Sequence, residues 1–170
     1  MIPDPNLQLQ VAAKALSEVV APAIDPENRL ATEQLQLSIA TIELVRSRLH
    51  LLQALKRAEL ADAVTLAEQL CATAADGSKY AEDLGTAVNR ARAVVDALGP
   101  DEQAIEEVLQ KLRSSTCAFV SSPQPEINDQ IELAVVKAAK SQLDRARSWC
   151  KPSGFEADPA RVSEIEDVLA

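Results

Sequence analysis

Aromatic residues are almost missing from this chain. One Trp, one Tyr and two Phe make 2% of 170 residues, and no sustained apolar–polar alternation bounded by turn residues makes up for them, so a β-sheet is not expected. Glycine is nearly as scarce. Four scattered glycines leave no phosphate-cradling loop, no dinucleotide fingerprint and no Gly-x-Ser-x-Gly nucleophile turn. The single histidine, His50, has Ser47 three residues before it, which removes the Glu-x-x-His pairs of a di-metal bundle. One imidazole is also too few for a conventional zinc site; His50 reads as a cap on carbonyls at a helix end. Cys71, Cys117 and Cys150 are odd in number, match no zinc or redox spacing, and read as reduced thiols on apolar faces. The residues therefore supply no catalytic group, metal site or cofactor motif, which points away from an enzyme.

Positive charge is in deficit too. A net charge of −9 argues against a nucleic-acid partner, since phosphate contacts need a basic face. No run of 18 apolar residues exists, so no membrane span is expected, and MIPDPNLQLQ has no basic residue ahead of an apolar run as a secretory leader would. These points give a cytoplasmic protein as the expectation.

What is present is a helix-forming vocabulary of Leu, Ala and Val in a chain of ordinary globular composition, 47% hydrophobic and 25% charged. The length suits one all-α domain over 1–170. Residues 26–75 organise it: they hold no glycine and no interior proline, and they carry two apolar stripes. Leu35, Ile39, Ile42, Leu49 and Leu52 form one; Leu30, Leu37, Leu44, Leu51 and Leu55 form the other. As one rod the stretch would be about 75 Å long, far beyond a compact domain of this size with its radius of gyration of about 15 Å. A break near Arg48 to Leu52, where apolar residues crowd around His50, would make it a helix pair.

Around that stretch the spacing predicts six or seven helices in an up-and-down bundle. Asp4-Pro5, Asp25-Pro26 and Asp158-Pro159 read as openings, Asp76-Gly77-Ser78 and Gly99-Pro100-Asp101 as stop-and-restart signals, and Ser121 to Pro125 as a loop. Candidate core positions are Leu60, Val64, Ala67, Cys71 and Ala74; Tyr80, Leu84, Val88, Ala91, Val95 and Leu98; and Ile105, Val108, Leu109, Leu112 and Phe119. In the sixth helix Ile127, Ile131, Val135 and Ala138 form one face, and Val136, Ala139, Leu143, Ala146 and Cys150 another.

The sharpest chemical signal is segregated charge. Arg46, Arg48, Lys56 and Arg57 occur from Leu44 to Ala58 with no acid among them, and Lys137, Lys140, Arg145, Arg147 and Lys151 form a second run broken only by Asp144. Cations suit helix C-termini, which accounts for most of them but not for Lys56 and Arg57 at the start of a third helix. With His50, the first group is the candidate site for a small anionic ligand: Arg46, Arg48, His50, Lys56 and Arg57. If Lys56 and Arg57 were merely solvated, replacing both by Glu would leave stability unchanged or raise it. The leading functional reading is a non-catalytic protein acting through self-association, as a homodimer or other homo-oligomer, or through a protein partner. The rival is a small-molecule binding protein or atypical enzyme holding an anionic or acyl-type ligand in an apolar cavity between helices.

Overall fold

Three helices open on short polar side chains that accept the free amides of a first turn. In the computed structural model, which describes residues 4–74, 78–97, 101–122 and 129–169, Asp4 accepts from the Asn6 amide at 3.1 Å, Asn28 from Ala31 at 3.1 Å, and Asp101 from Gln103 at 3.4 Å. The helices are α1 (Pro5–Ala15), α2 (Arg29–Arg48), α3 (Leu52–Ala72), α4 (Lys79–Asp96), α5 (Glu102–Val120), α6 (Asp129–Cys150) and α7 (Ile165–Leu169). Of the described residues 86% are helical and none forms a strand, so the chain is an all-α helical bundle. No helix of the described residues is long and apolar enough to cross a membrane.

Two of the three Asp-Pro openings act differently from expectation. Asp25 accepts the Glu27 amide at 3.0 Å in a local turn, and the cap of α2 passes to Asn28, whose amide oxygen reaches the third helical residue. Asp158-Pro159 opens only a 3-10 turn, Pro159–Arg161, and α7 starts later, at Ile165. The central stretch does break: α2 ends at Arg48 (φ −108°, ψ −6°), a 3-10 segment runs Leu49–Leu51, and α3 begins at Leu52. Asp76-Gly77, Leu98-Gly99-Pro100, Pro123 to Pro125 and Ile127 lie outside the described residues.

The chain divides into two compact units, residues 1–52 with 147–165 and residues 53–146 with 166–170. The second unit holds a continuous apolar core. Leu60, Val64, Ala67 and Leu70 from α3, Leu84, Ala87, Val88 and Ala91 from α4, Ile105, Val108, Leu109, Leu112 and Phe119 from α5, and Ile131 from α6 are all buried together. Burying each large member stabilises the fold by about 1.5–3 kcal/mol. The five positions assigned to α5 are all buried, whereas Tyr80 of α4 is exposed and Leu70 takes a place not assigned to α3. Contacts fix the helix directions: the start of α3 at Arg57 meets the end of α4 at Val95 and Ala97, and Lys56 and Glu59 meet Glu106 and Arg113 in the same order. So α3 and α4 are antiparallel, and α3 and α5 parallel, as an up-and-down order requires.

Helix α6 turns inward only part of one of its two apolar faces, buried Ile131 with half-buried Ala138, and none of the other. Its buried residues are Ile131, Ala134, Arg145 and Ser148, at helical spacing, while Leu133 (54%), Val136 (63%) and Leu143 (59%) are exposed. A buried arginine and its carboxylate partner on α3 set the rotation. Cys117 and Cys150 are exposed and Cys71 half-buried, so the expectation of three buried thiols fails for two of them.

The first unit is built otherwise. Helix α1 continues through a π-helical turn, Leu16–Val20, and a 3-10 turn, Ala21–Ala23, and it packs on α2. Few residues of this unit are buried: Ala13, Arg48, Ser148, Val162 and Ile165. Arg48 Nη2 donates to the Ser148 carbonyl at 3.5 Å, and the single tryptophan, Trp149, is half-buried beside it in the chain. Gly154 closes the turn after α6 at φ 78°, a left-handed conformation that favours glycine.

Candidate functional site

One flank of α3 carries Lys56, Glu59, Asp62, Ala63 and Leu66, at steps that keep them on a single side of the helix beside the core-facing Leu60, Val64 and Ala67. Each charged member meets an opposite charge on a neighbouring helix. Lys56 Nζ donates to Glu106 of α5 at 2.7 Å, Glu59 pairs with Arg113 of α5 at 3.7 Å, and Asp62 accepts from Ser141 at 2.8 Å and from Arg145 at 2.5 Å, both on α6. The hydrogen bond to Lys56 and its charge hold the Glu106 carboxyl below its ordinary value; the same hydrogen bond holds the Lys56 ammonium above its own.

Beyond these pairs the three helices leave a cleft of about 260 Å³. Ala63, Leu66, Val135, Ala138 and Ala139 give it an apolar wall; Glu59, Asp62, Arg113 and Arg145 stand at its polar side, and Cys117 opens onto it. The Arg145 side chain is only 7% exposed, and its Nε is enclosed with no acceptor among the described residues. Among the described residues no group of three or more His, Cys, Asp or Glu is placed to hold a metal ion.

The five cations singled out in the sequence fall into both units. In the first, Arg46 pairs with Glu43 one turn away at 2.7 Å, Arg48 is buried against the Ser148 carbonyl, and His50 is exposed on the 3-10 segment with no side-chain hydrogen bond to the described residues. Its expected carbonyl cap is thus not made. In the second, Lys56 meets Glu106, and Arg57 donates to the carbonyls of Ala97 at 3.3 Å and Val95 at 3.5 Å, at the C-terminal end of α4. The puzzle of two cations at a helix N-terminus is resolved by neighbours: one answers a carboxylate, the other the negative end of a different helix's dipole. Two members of the second basic run are answered locally, Arg147 by Glu156 at 2.9 and 3.0 Å and Lys151 by Glu164 and the Val162 carbonyl.

Sequence reasoning missed Asp62, Ser141 and Arg145 as a group. Their separations of 79 and 83 residues leave no local trace, and the only available signal was a charged residue within an otherwise inward-turning helix face. Comparison with protein-family models, with curated proteins and with solved structures finds no match.

Proposed function

We propose that the protein works by association, and that two copies meet through the α1 and α2 helices. The supporting observation is the exposed apolar surface of this hairpin. Leu7 (54%), Val11 (59%) and Val19 (69%) stand out from α1 and the turn after it, and Leu30 (68%), Leu37 (40%) and Val45 (45%) from α2. A helix pair apolar on its outer sides needs another layer to cover them. Leu30, Leu37, Leu44 and Leu51 also recur every seven residues, the spacing of a helix–helix seam, and a seam of one residue type is self-complementary about a two-fold axis. Charge does not oppose a second copy here. With Arg48 buried, Arg29 and Arg46 balance Glu33 and Glu43 on α2, so in a chain of net charge −9 this helix carries no excess of acid.

Sedimentation velocity over a wide concentration range tests the reading. The wild-type chain is expected to pass from an 18.3 kDa species to twice that mass, and the double variant Leu30→Glu, Leu37→Glu to stay at the smaller mass with unchanged helix content. An 18.3 kDa species at every concentration of the wild-type chain overturns it.

A further inference from the structure

Most arginines of this chain meet a carboxylate. Arg46, Arg92, Arg113, Arg145, Arg147 and Arg161 each pair with one, as an excess of acid over base leads one to expect. Arg90 does not. It lies exposed on α4 and lines a groove between α4 and α5 with exposed Lys111 of α5, and among the described residues neither cation has an ion-pair or hydrogen-bond partner. Glu107, one turn before Lys111, accepts instead from Gln103 at 3.0 Å. The groove holds about 370 Å³, inside the range of about 300–1,000 Å³ usual for small-molecule sites.

The lining is polarised along the helices. Because α4 and α5 are consecutive and antiparallel, Arg90 and Lys111 both lie toward the end at which the chain passes from one helix to the other, and Tyr80, Asp83 and Ser115 lie away from it. Arg90 and Asp83 are about 10 Å apart along the helix. Asp83 is also without an ion pair among the described residues, and the Tyr80 and Ser115 hydroxyls make no hydrogen bond there, whereas Thr86 and Ser114 donate to the Glu82 and Gln110 carbonyls at 2.9 Å. One end therefore offers cationic donors alone; the other offers a carboxylate acceptor with two uncommitted hydroxyls.

We infer that the groove binds a phosphorylated polyol or sugar, its phosphate monoester held by Arg90 and Lys111 and its hydroxyls donating to Asp83, with Tyr80 and Ser115 as further partners. Every charged group of the lining then has a partner. Inorganic phosphate would leave Asp83 unmet, a sugar without phosphate would leave both cations unmet, and a dicarboxylate would set a like charge against Asp83. The net charge of −9 does not forbid an anion here, since distant charges are screened beyond about 8 Å at physiological salt and the lining itself has two cations to one carboxylate. This site lies within residues 80–118 and is independent of the association proposed for α1 and α2.

Tyr80 is the only tyrosine and lines the groove, so the full-length chain labelled with fluorotyrosine gives one fluorine resonance, which reports from the site. The labelled chain is titrated with sorbitol phosphate, inorganic phosphate or sorbitol, and affinities are read by calorimetry. Sorbitol phosphate is expected to bind saturably and to move the Tyr80 resonance, inorganic phosphate to bind about tenfold more weakly, and sorbitol not to bind. Arg90→Gln and Lys111→Gln, both at exposed positions, should each weaken sorbitol phosphate about tenfold with helix content by circular dichroism unchanged. Asp83→Asn should weaken sorbitol phosphate but not inorganic phosphate. The proposal is overturned by a Tyr80 resonance that shows no saturable movement, by inorganic phosphate binding as tightly as the ester, or by sorbitol phosphate binding that survives Arg90→Gln or Asp83→Asn.

Discussion

Lys56 shows how a single side chain links charge to stability. Its hydrogen bond lowers the Glu106 carboxyl from an ordinary 4.5 and raises the ammonium from 10.5. A carboxyl depressed in the folded state contributes stability that is present above the unfolded value and lost as pH falls through the folded one. A raised ammonium contributes below its unfolded value and loses that contribution as pH rises through the folded one. The pair is thus silent across the neutral range and fades at both ends. Glu156, depressed by its hydrogen bond to Arg147, adds to the acid limb alone. In urea titrations Glu106→Gln is expected to lower the unfolding midpoint at pH 7, and the gap to the wild-type chain should close as pH falls below the carboxylate range. The expectation that Glu at 56 and 57 would be harmless reverses: Lys56→Glu sets a carboxylate against Glu106, and Arg57→Glu sets one against the α4 carbonyls, at a cost of about 0.3–1 kcal/mol for the second change alone. Equal or higher stability of the double variant would count against both contacts. Among the thiols, Cys117 and Cys150 should react in the native state ahead of Cys71, whose thiol burial pushes upward in pKa.

At the scale of the helix, α5 is the element whose removal from its neighbours would expose most. Leu109 and Leu112 are fully buried in it, and Leu112→Ala should cost about 2–5 kcal/mol, read from the shift in denaturation midpoint at constant slope. Leu143→Ala on the exposed side of α6 should change stability by less than about 0.5 kcal/mol. That contrast also marks what a sequence can disclose. In α5 the buried apolar residues recur at one helical phase and charged and polar residues occupy most of the other, so periodicity alone picks Ile105, Val108, Leu109, Leu112 and Phe119. In α6 apolar residues occur at every phase, and the inward face is chosen by Asp62 on a distant segment, which pulls Arg145 and Ser141 in and leaves Val136 and Leu143 outside. Periodicity cannot rank such faces. Helix starts follow the same logic: Asp4 and Asp101 cap the helices that follow them directly, whereas Asp25 closes a local turn and leaves the cap of α2 to Asn28, three residues on.

For the molecule as a whole, the two units differ in how their helices are held. One surrounds a contiguous apolar core; the other relies on local hydrogen bonds, caps and a handful of buried groups. Local opening is easier where fewer apolar contacts must be broken. Amides of α1 and α2 should therefore exchange with deuterium well before those of α4 and α5 in dilute solution, and uniform exchange across all four helices would contradict the difference. Raising protein concentration should slow exchange in α1 and α2 selectively if two copies cover them, because binding protects the state that binds. The poverty in aromatics has an optical consequence. Trp149 is the only tryptophan and sits in the weakly buried unit; Tyr80, the only tyrosine, sits in the other. Emission excited at the indole band reports on one unit alone, while far-ultraviolet dichroism sums both. The natural chain is already a two-colour instrument, in which a fluorescence melt preceding the dichroism melt would separate the loosening of one unit from the collapse of the other.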